Sequence, residues 1–139
     1  AVLDVVGRGP SADLRRRLEA VPGATLHADV ASVTPFLDRA TVAVNPAVTG
    51  SGVNIKLIDY LQAGLPVVST SLATAGLPLR AGVDLEVADE PGAFAEACVR
   101  LLTDEDRRSE LAHQGRQHVE ELLDPEANLA RVARALAGF

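Results

Sequence analysis

Five short apolar runs, AVLDVVG, GATLHADV, TVAVNP, PVVST and DLEVAD, are spaced along the chain with helical patterns between most of them. Parallel strands cannot be joined by a tight turn and need a crossover, so this alternation predicts an α/β fold with a parallel sheet. Ser11 is placed to cap a helix over ADLRRRLEAV, whose Leu14, Leu18 and Val21 repeat at helical spacing. SVTPFLDRA reads as a short helix that tolerates Pro35 in its first turn, and a further helix is expected from about residue 54 to 63. ATAGLPLRAG, with two glycines and a proline, reads as an irregular loop. From Pro91 onward the pattern is helical, with Leu111, His118 and Leu122 near helical spacing in the middle segment. There is no repeat, low-complexity tract or linker, so residues 1–139 read as a single domain built on an open doubly wound parallel sheet. Such sheets bind ligands at the carboxyl ends of their strands, which directs attention to residues 7–11, 27–32, 46–53 and 69–76.

Length and composition narrow the field further. At 139 residues, with 47% hydrophobic and 23% charged side chains, the chain can bury a core without disulfides or metals. No run approaches the roughly 20 apolar residues of a membrane span, and no secretion signal is visible, which suits the cytoplasm. Cys98 is the only cysteine, so an internal disulfide and a cysteine-rich metal site are both excluded. It falls on an apolar helix face, where an inert buried thiol is expected. A net charge of −6 and only four aromatic residues (Phe36, Tyr60, Phe94 and Phe139) argue against a nucleic-acid partner. The chain lacks Met and opens inside an apolar run, so it reads as a piece of a longer protein.

Two strand-end loops carry glycine pairs. In GRGP, Gly7 and Gly9 form either a plain tight turn or a phosphate cradle; Ala12 falls where the dinucleotide fingerprint would put its third glycine. In TGSGV, Gly50, Ser51 and Gly52 lie between a strand and a helix N-terminus, where free N–H groups and the helix dipole favour an anion. The loop lacks the GK[ST] of a Walker motif. The chain's only lysine, Lys56, follows, with Asp59 three residues on; Gly52, Lys56 and Asp59 share one face, and Leu57, Ile58 and Leu61 should pack on the sheet. The rival reading of Lys56 is an exposed pair with Asp59, worth about 0.3–0.5 kcal/mol. His27 could touch a ligand or simply pack, whereas His113 and His118, five apart on one helix, are poor metal partners. No Ser-His-Asp order or nucleophile elbow occurs.

GSGVNIKLIDYLQAGLPVVST resembles the donor-binding segment of the family 4 (group 1) retaining glycosyltransferases of the GT-B fold, where a Gly-rich loop runs into K-x-x-E-A-x-x-x-G-x-P-V-V. LDVVGRGP is similar to that family's first strand and G-x-G-P turn, and ATLHADVASVTPFLDRATVAVNP to the stretch before the loop. STSLATAGLP is similar to the stretch after it, and VADEPGAFAEACVRLLTDEDRRSELAHQGRQHVEE to the C-terminal helices. The resemblance implies a Rossmann-like domain, the C-terminal half of a GT-B enzyme. That enzyme would transfer a hexosyl group from a UDP- or GDP-type sugar to a hydroxyl with retention, without a metal. By resemblance, backbone amides of Gly50, Ser51, Gly52 and Val53 lie near the sugar or diphosphate, with Lys56 beside them. Asp59 takes the place of the glutamate that holds the ribose, and main chain near Ala28 and Val30 meets the base. Asp59 is one methylene shorter than that glutamate, and Ser51 stands where many relatives carry an acid. The family's diphosphate Arg and Lys belong to a strand and loop ahead of Ala1, and its acceptor domain is N-terminal. No catalytic residue is assigned within this chain, and the isolated chain is expected to be inactive. The implied setting is glycan or glycolipid synthesis, in the cytoplasm and within reach of a membrane surface. The alternatives are a nucleotide-sugar epimerase of the same fold and a non-catalytic half-domain that binds a partner chain.

Overall fold

The structure, a computed structural model, describes residues 1–50 and 52–138. It divides into two compact units, Ala1–Arg39 and Ala40–Phe139. The first holds β1 (Leu3–Gly7), α1 (Ala12–Glu19), β2 (Ala24–Ala28) and α2 (Thr34–Arg39). β1 and β2 run parallel, with Val5 opposite Leu26 and Gly7 opposite Ala28. Ser11 caps α1 as its residue type predicts, accepting the Leu14 N–H at 3.1 Å, and Asp13 complements the dipole in the first turn. α2 is locked to the strands by polar and aromatic contacts. The Asp4 carboxylate on β1 meets His27 Nε2 on β2 at 2.7 Å and accepts from Arg39 Nη2 on α2 at 3.0 Å. The Arg39 guanidinium lies 4.4 Å from the centre of the Phe36 ring, and the His27 ring lies 4.6 Å from it. These bonds, His27 first and then Arg39, hold the Asp4 carboxyl below its ordinary range. His27 is therefore a packing residue.

The second unit holds β3 (Ala43–Asn45), α3 (Ile55–Gln62), β4 (Val67–Ser69), α4 (Ser71–Thr74), β5 (Glu86–Val87), α5 (Pro91–Thr103), α6 (Glu105–Leu123) and α7 (Pro125–Ala137). Its strands are parallel in the order β3-β4-β5, with Asn45 opposite Ser69 and Ser69 opposite Val87. Val68 packs with Ala97, Leu101 and Leu111, joined by Val42, Val44, Phe94 and Cys98, so α5 and α6 cover that face of the strands. Burial pushes the Cys98 thiol up, in keeping with an inert packing group. Arg107 of α6 ties down β5, reaching Glu86 at 2.8 Å and the Gly82 carbonyl at 2.7 Å.

The five parallel strands and their helices are those the sequence pattern predicts, with three differences. The strands pair as β1-β2 and as β3-β4-β5 among the described residues, and they are shorter than the apolar runs. α4 is additional: four residues are too few to show periodicity, and it forms because Thr70 Oγ1 accepts the Ala73 N–H at 3.3 Å. The buried face of α3 meets α6 as well as β4, because Gly115 on α6 lets Leu61 and the Asp84 main chain come close.

Asp84 is completely buried. Its carboxylate takes the Arg80 N–H at 2.7 Å and Arg80 Nη2 at 2.6 Å, and meets His118 Nδ1 at 2.6 Å. Burial raises the carboxyl, but the bonds from Arg80 and His118 outweigh it and hold Asp84 below the usual range. Helical spacing alone puts His118 on an apolar stripe; in the fold its Nδ1 ties α6 to the buried Asp84 carboxylate.

Candidate functional site

The candidate residues fall into one group in each unit. In the first unit, Gly7 and Ala28 are paired across the carboxyl ends of β1 and β2, and Gly9 and Val30 follow in the two loops. Asp29 stitches these loops together: its N–H donates to the Gly7 carbonyl at 2.9 Å, and its Oδ1 accepts the Gly9 N–H at 3.0 Å. Its φ of 55° is the only positive value among the described non-glycine residues. Asp is one of the few side chains that tolerates that region, and local strain of this kind persists where surrounding bonds enforce it. The Gly9 N–H is thus already taken by a carboxylate. A phosphate there would have to displace one negative group while approaching it, so the geometry favours the tight turn over the phosphate cradle.

In the second unit, the β3–α3 connection forms one wall of an open cleft of about 320 Å³. Gly50, Gly52, Val53 and Lys56 line it, and Leu72 and Ala73 of α4 face them. Gly50 and Gly52 have φ of 138° and 103°, conformations that side chains avoid, and a Cβ on either would meet nothing within 4 Å. The glycines serve the backbone path and leave open space beside it. Ser51 lies outside the described residues.

α3 differs at its start from most helices of the chain. α1, α4, α6 and α7 are capped by Ser11, Thr70, Asp104 and Asp124, whereas Asn54 stands at the α3 N-cap and makes no side-chain cap bond. The Leu57 N–H turns back to the Asn54 carbonyl at 3.1 Å, so among the described residues it is the N–H groups of Ile55 and Lys56 that are left for another acceptor. Lys56 adds a positive charge at this end, is exposed, and forms no ion pair among the described residues, including with Asp59. The exposed Lys56–Asp59 pair is therefore not formed. Asp59 is exposed one turn further along α3 and does not line the cleft. Thr70, the cap of α4, ties the two walls together: its Oγ1–H donates to the carbonyl of cleft-lining Ala47 at 2.6 Å.

Among the described residues, no three His, Cys, Asp or Glu side chains converge to hold a metal ion, and no helix is long and apolar enough to cross a membrane. Sequence reasoning passes over Asp29, whose strain has no pattern in sequence, and Asn45, whose burial at the end of β3 is set by the sheet.

These features define an α/β protein that presents main-chain donors and one cation at the carboxyl end of parallel strands. Residues 1–104 match the family model for group 1 glycosyl transferases, and the chain belongs to that family. No curated protein matches it. Among solved structures, it is similar to HepE of Anabaena, determined with UDP-glucose, at 12% identity and a TM-score of 0.74, covering 99% of this chain and 41% of that one. Sucrose-phosphate synthase from Thermosynechococcus elongatus matches at 21% identity and a TM-score of 0.73, covering 98% and 38%. WaaG, a glycosyltransferase involved in lipopolysaccharide biosynthesis, matches at 20% identity and 0.71, covering 95% and 36%. The chain therefore spans about two fifths of the length of these structures, and its architecture is that of the Rossmann-like domains of GT-B glycosyltransferases.

Proposed function

We propose that this chain is the donor-binding, C-terminal half of a retaining glycosyltransferase that moves a hexosyl group from a UDP- or GDP-type sugar to a hydroxyl acceptor. The observation that carries the reading is the uncapped start of α3, opened by Gly50 and Gly52 into a cleft with Lys56 on its wall. Free N–H groups, the helix dipole and a point charge all favour an anion of the size and charge of a diphosphate. Family membership and the likeness to HepE, a protein solved with UDP-glucose and with UDP and glucose, support a nucleotide sugar as that anion.

In this reading Gly50, Ser51, Gly52 and Val53 cradle the diphosphate or the sugar through main-chain N–H groups. Lys56 and the α3 dipole offset the charge that grows on the leaving diphosphate, the part a metal plays elsewhere. Asp59 holds the ribose hydroxyls, and main chain at Ala28 and Val30 meets the base. Residues 1–139 act as one nucleotide-sugar-binding domain, and an N-terminal domain of the parent protein holds the acceptor.

The test is a titration of the 139-residue chain with UDP and with GDP, followed by amide NMR. Shifts at Gly50, Gly52 and Val53 are expected, with affinity falling roughly tenfold in Lys56→Gln, since a charge-assisted bond contributes about 1.5–3 kcal/mol and part of that is lost to solvent. No shift with either nucleotide refutes the function.

A further inference from the structure

Asn45 is the last residue of β3, is more than nine-tenths buried, and its Nδ2 has no hydrogen-bond partner among the described residues. A buried amide N–H with no partner loses its hydration and recovers nothing, so an interior position that keeps one calls for a physical reason. Val44 packs into the Val68, Ala97 and Leu101 core, so its neighbour Asn45 points to the opposite face of the strands. Its main chain is tied to Thr70, the residue that caps α4 next to the cleft. The Asn45 carbonyl accepts the Thr70 N–H at 3.2 Å, and two residues later the Ala47 carbonyl, on the cleft wall, accepts the Thr70 hydroxyl. The unpaired donor is thus carried by the strand residue from which the segment leading into the glycine turn departs.

We propose that Asn45 is a positioning residue for the diphosphate, an inference that rests on the function proposed above. A turn that aims its N–H groups at an anion points the carbonyls of the same peptides the other way, into the protein, and those carbonyls require donors. Asn45 Nδ2 supplies such a donor from the buried side. It holds the β3–α3 connection in the anion-binding orientation and touches no ligand itself. The free protein carries the unpaired amide as a standing cost, and ligand binding relieves it.

The role and a purely structural one predict opposite things for Asn45→Leu, a near-isosteric apolar replacement. The experiment measures urea unfolding and calorimetric binding of UDP and GDP on the complete 139-residue chain, for wild type, Asn45→Leu and Asn45→Ser. Asn45→Leu should unfold at the same or a higher urea concentration and bind about tenfold more weakly, the worth of one net hydrogen bond. Asn45→Ser keeps an O–H donor and should bind more tightly than Asn45→Leu. Wild-type affinity in Asn45→Leu overturns the inference and leaves the function standing. A lowered urea midpoint in Asn45→Leu, or its failure to fold, also overturns it, because the amide then already has a partner in the free protein. Binding by Asn45→Ser no tighter than by Asn45→Leu does the same. A wild-type chain that takes neither nucleotide refutes the function, and this inference with it.

Discussion

Replacing Gly115 by alanine sets two effects of opposite sign against each other. Gly115 lies in the interior of α6, where alanine is the better helix former by about 0.8–1.0 kcal/mol. A Cβ there would stand 2.5 Å from the Asp84 carbonyl oxygen and 2.7 Å from Leu61 Cδ2, against a practical minimum of 3.0 Å. Leu61 is fully buried on α3 and could shift only by disturbing its own packing. The Asp84 main chain cannot retreat, because its N–H donates to the Arg80 carbonyl at 2.9 Å and its carboxylate is held by Arg80 and His118. α6 must therefore lift away from both neighbours, and overpacking of this kind costs about 1–3 kcal/mol or more. With the closer contact made to fixed backbone, the upper part of that range applies, and the clash outweighs the propensity gain by about 1–2 kcal/mol. For a chain of this length that lowers the thermal midpoint by about 3–7 °C. Far-UV circular dichroism of wild type, Gly115→Ala and Gly92→Ala provides the test. Gly92 is the control: it is helical too, and a Cβ there meets nothing within 4 Å, so its substitution should be neutral or slightly stabilising. A Gly115→Ala midpoint at or above wild type would refute the reasoning.

Two further predictions concern carboxylates. Asp84 has a depressed folded-state pKa, so the stability it contributes is complete above its unfolded value of about 4 and is lost as pH falls through the folded value. Asp84→Asn should cost about 3 kcal/mol at pH 7, as breaking a buried pair does, and should remove much of the acid dependence between about pH 5 and pH 2. Urea midpoints against pH check this, and an unchanged acid limb would count against it. At Asp29, replacement by Asn keeps both an acceptor for the Gly9 N–H and tolerance of positive φ, replacement by Gly keeps only the φ, and replacement by Ala keeps neither. Stability should fall in the order Asp29→Asn, Asp29→Gly, Asp29→Ala, with the last about 2 kcal/mol below wild type; thermal midpoints in any other order would contradict the clamp.

What could be read from sequence was whatever repeats or has a local signature. The strands announce themselves as apolar runs, and Ser11 and Pro91 mark helix starts by residue type. The glycine turn before α3 was visible because Gly50 and Gly52 bracket a single residue ahead of a helical pattern. What escaped depends on pairs far apart in the chain. Asp84 and His118 are 34 residues apart and meet only because α6 packs beside the start of β5. Asp4 and His27 are 23 apart and meet because β1 and β2 are neighbours. The phosphate-cradle reading of Gly9 could not be decided without Asp29, 20 residues on, whose carboxylate takes the N–H in question.

Three positions break local rules, and each lies at the carboxyl end of a strand or in the connection that follows it. Asp29 holds a left-handed backbone after β2, Asn45 buries an unpaired amide at the end of β3, and Asn54 sits at a helix start without capping it. Elsewhere the chain mostly obeys those rules: four helices are capped by side chains, α5 starts at Glu90 without a side-chain cap but with Pro91 in its first turn, and the buried carboxylate Asp84 has partners on Arg80 and His118. A sequence that satisfies its polar groups in most places, yet along one connection buries an unpaired Asn45 amide and places an Asn54 that does not cap its helix, departs from consistency where function is expected to demand it. The demand also has a definite sign. Among the described residues, Asn54 leaves the Ile55 and Lys56 N–H groups without a side-chain acceptor at the cleft, and Asn45 holds a spare donor on the buried side. Both are surpluses of donors, and a surplus of donors is what an anion requires, directly at the helix start and indirectly through the carbonyls turned away from it. A site for a cation would have left acceptors unpaired instead.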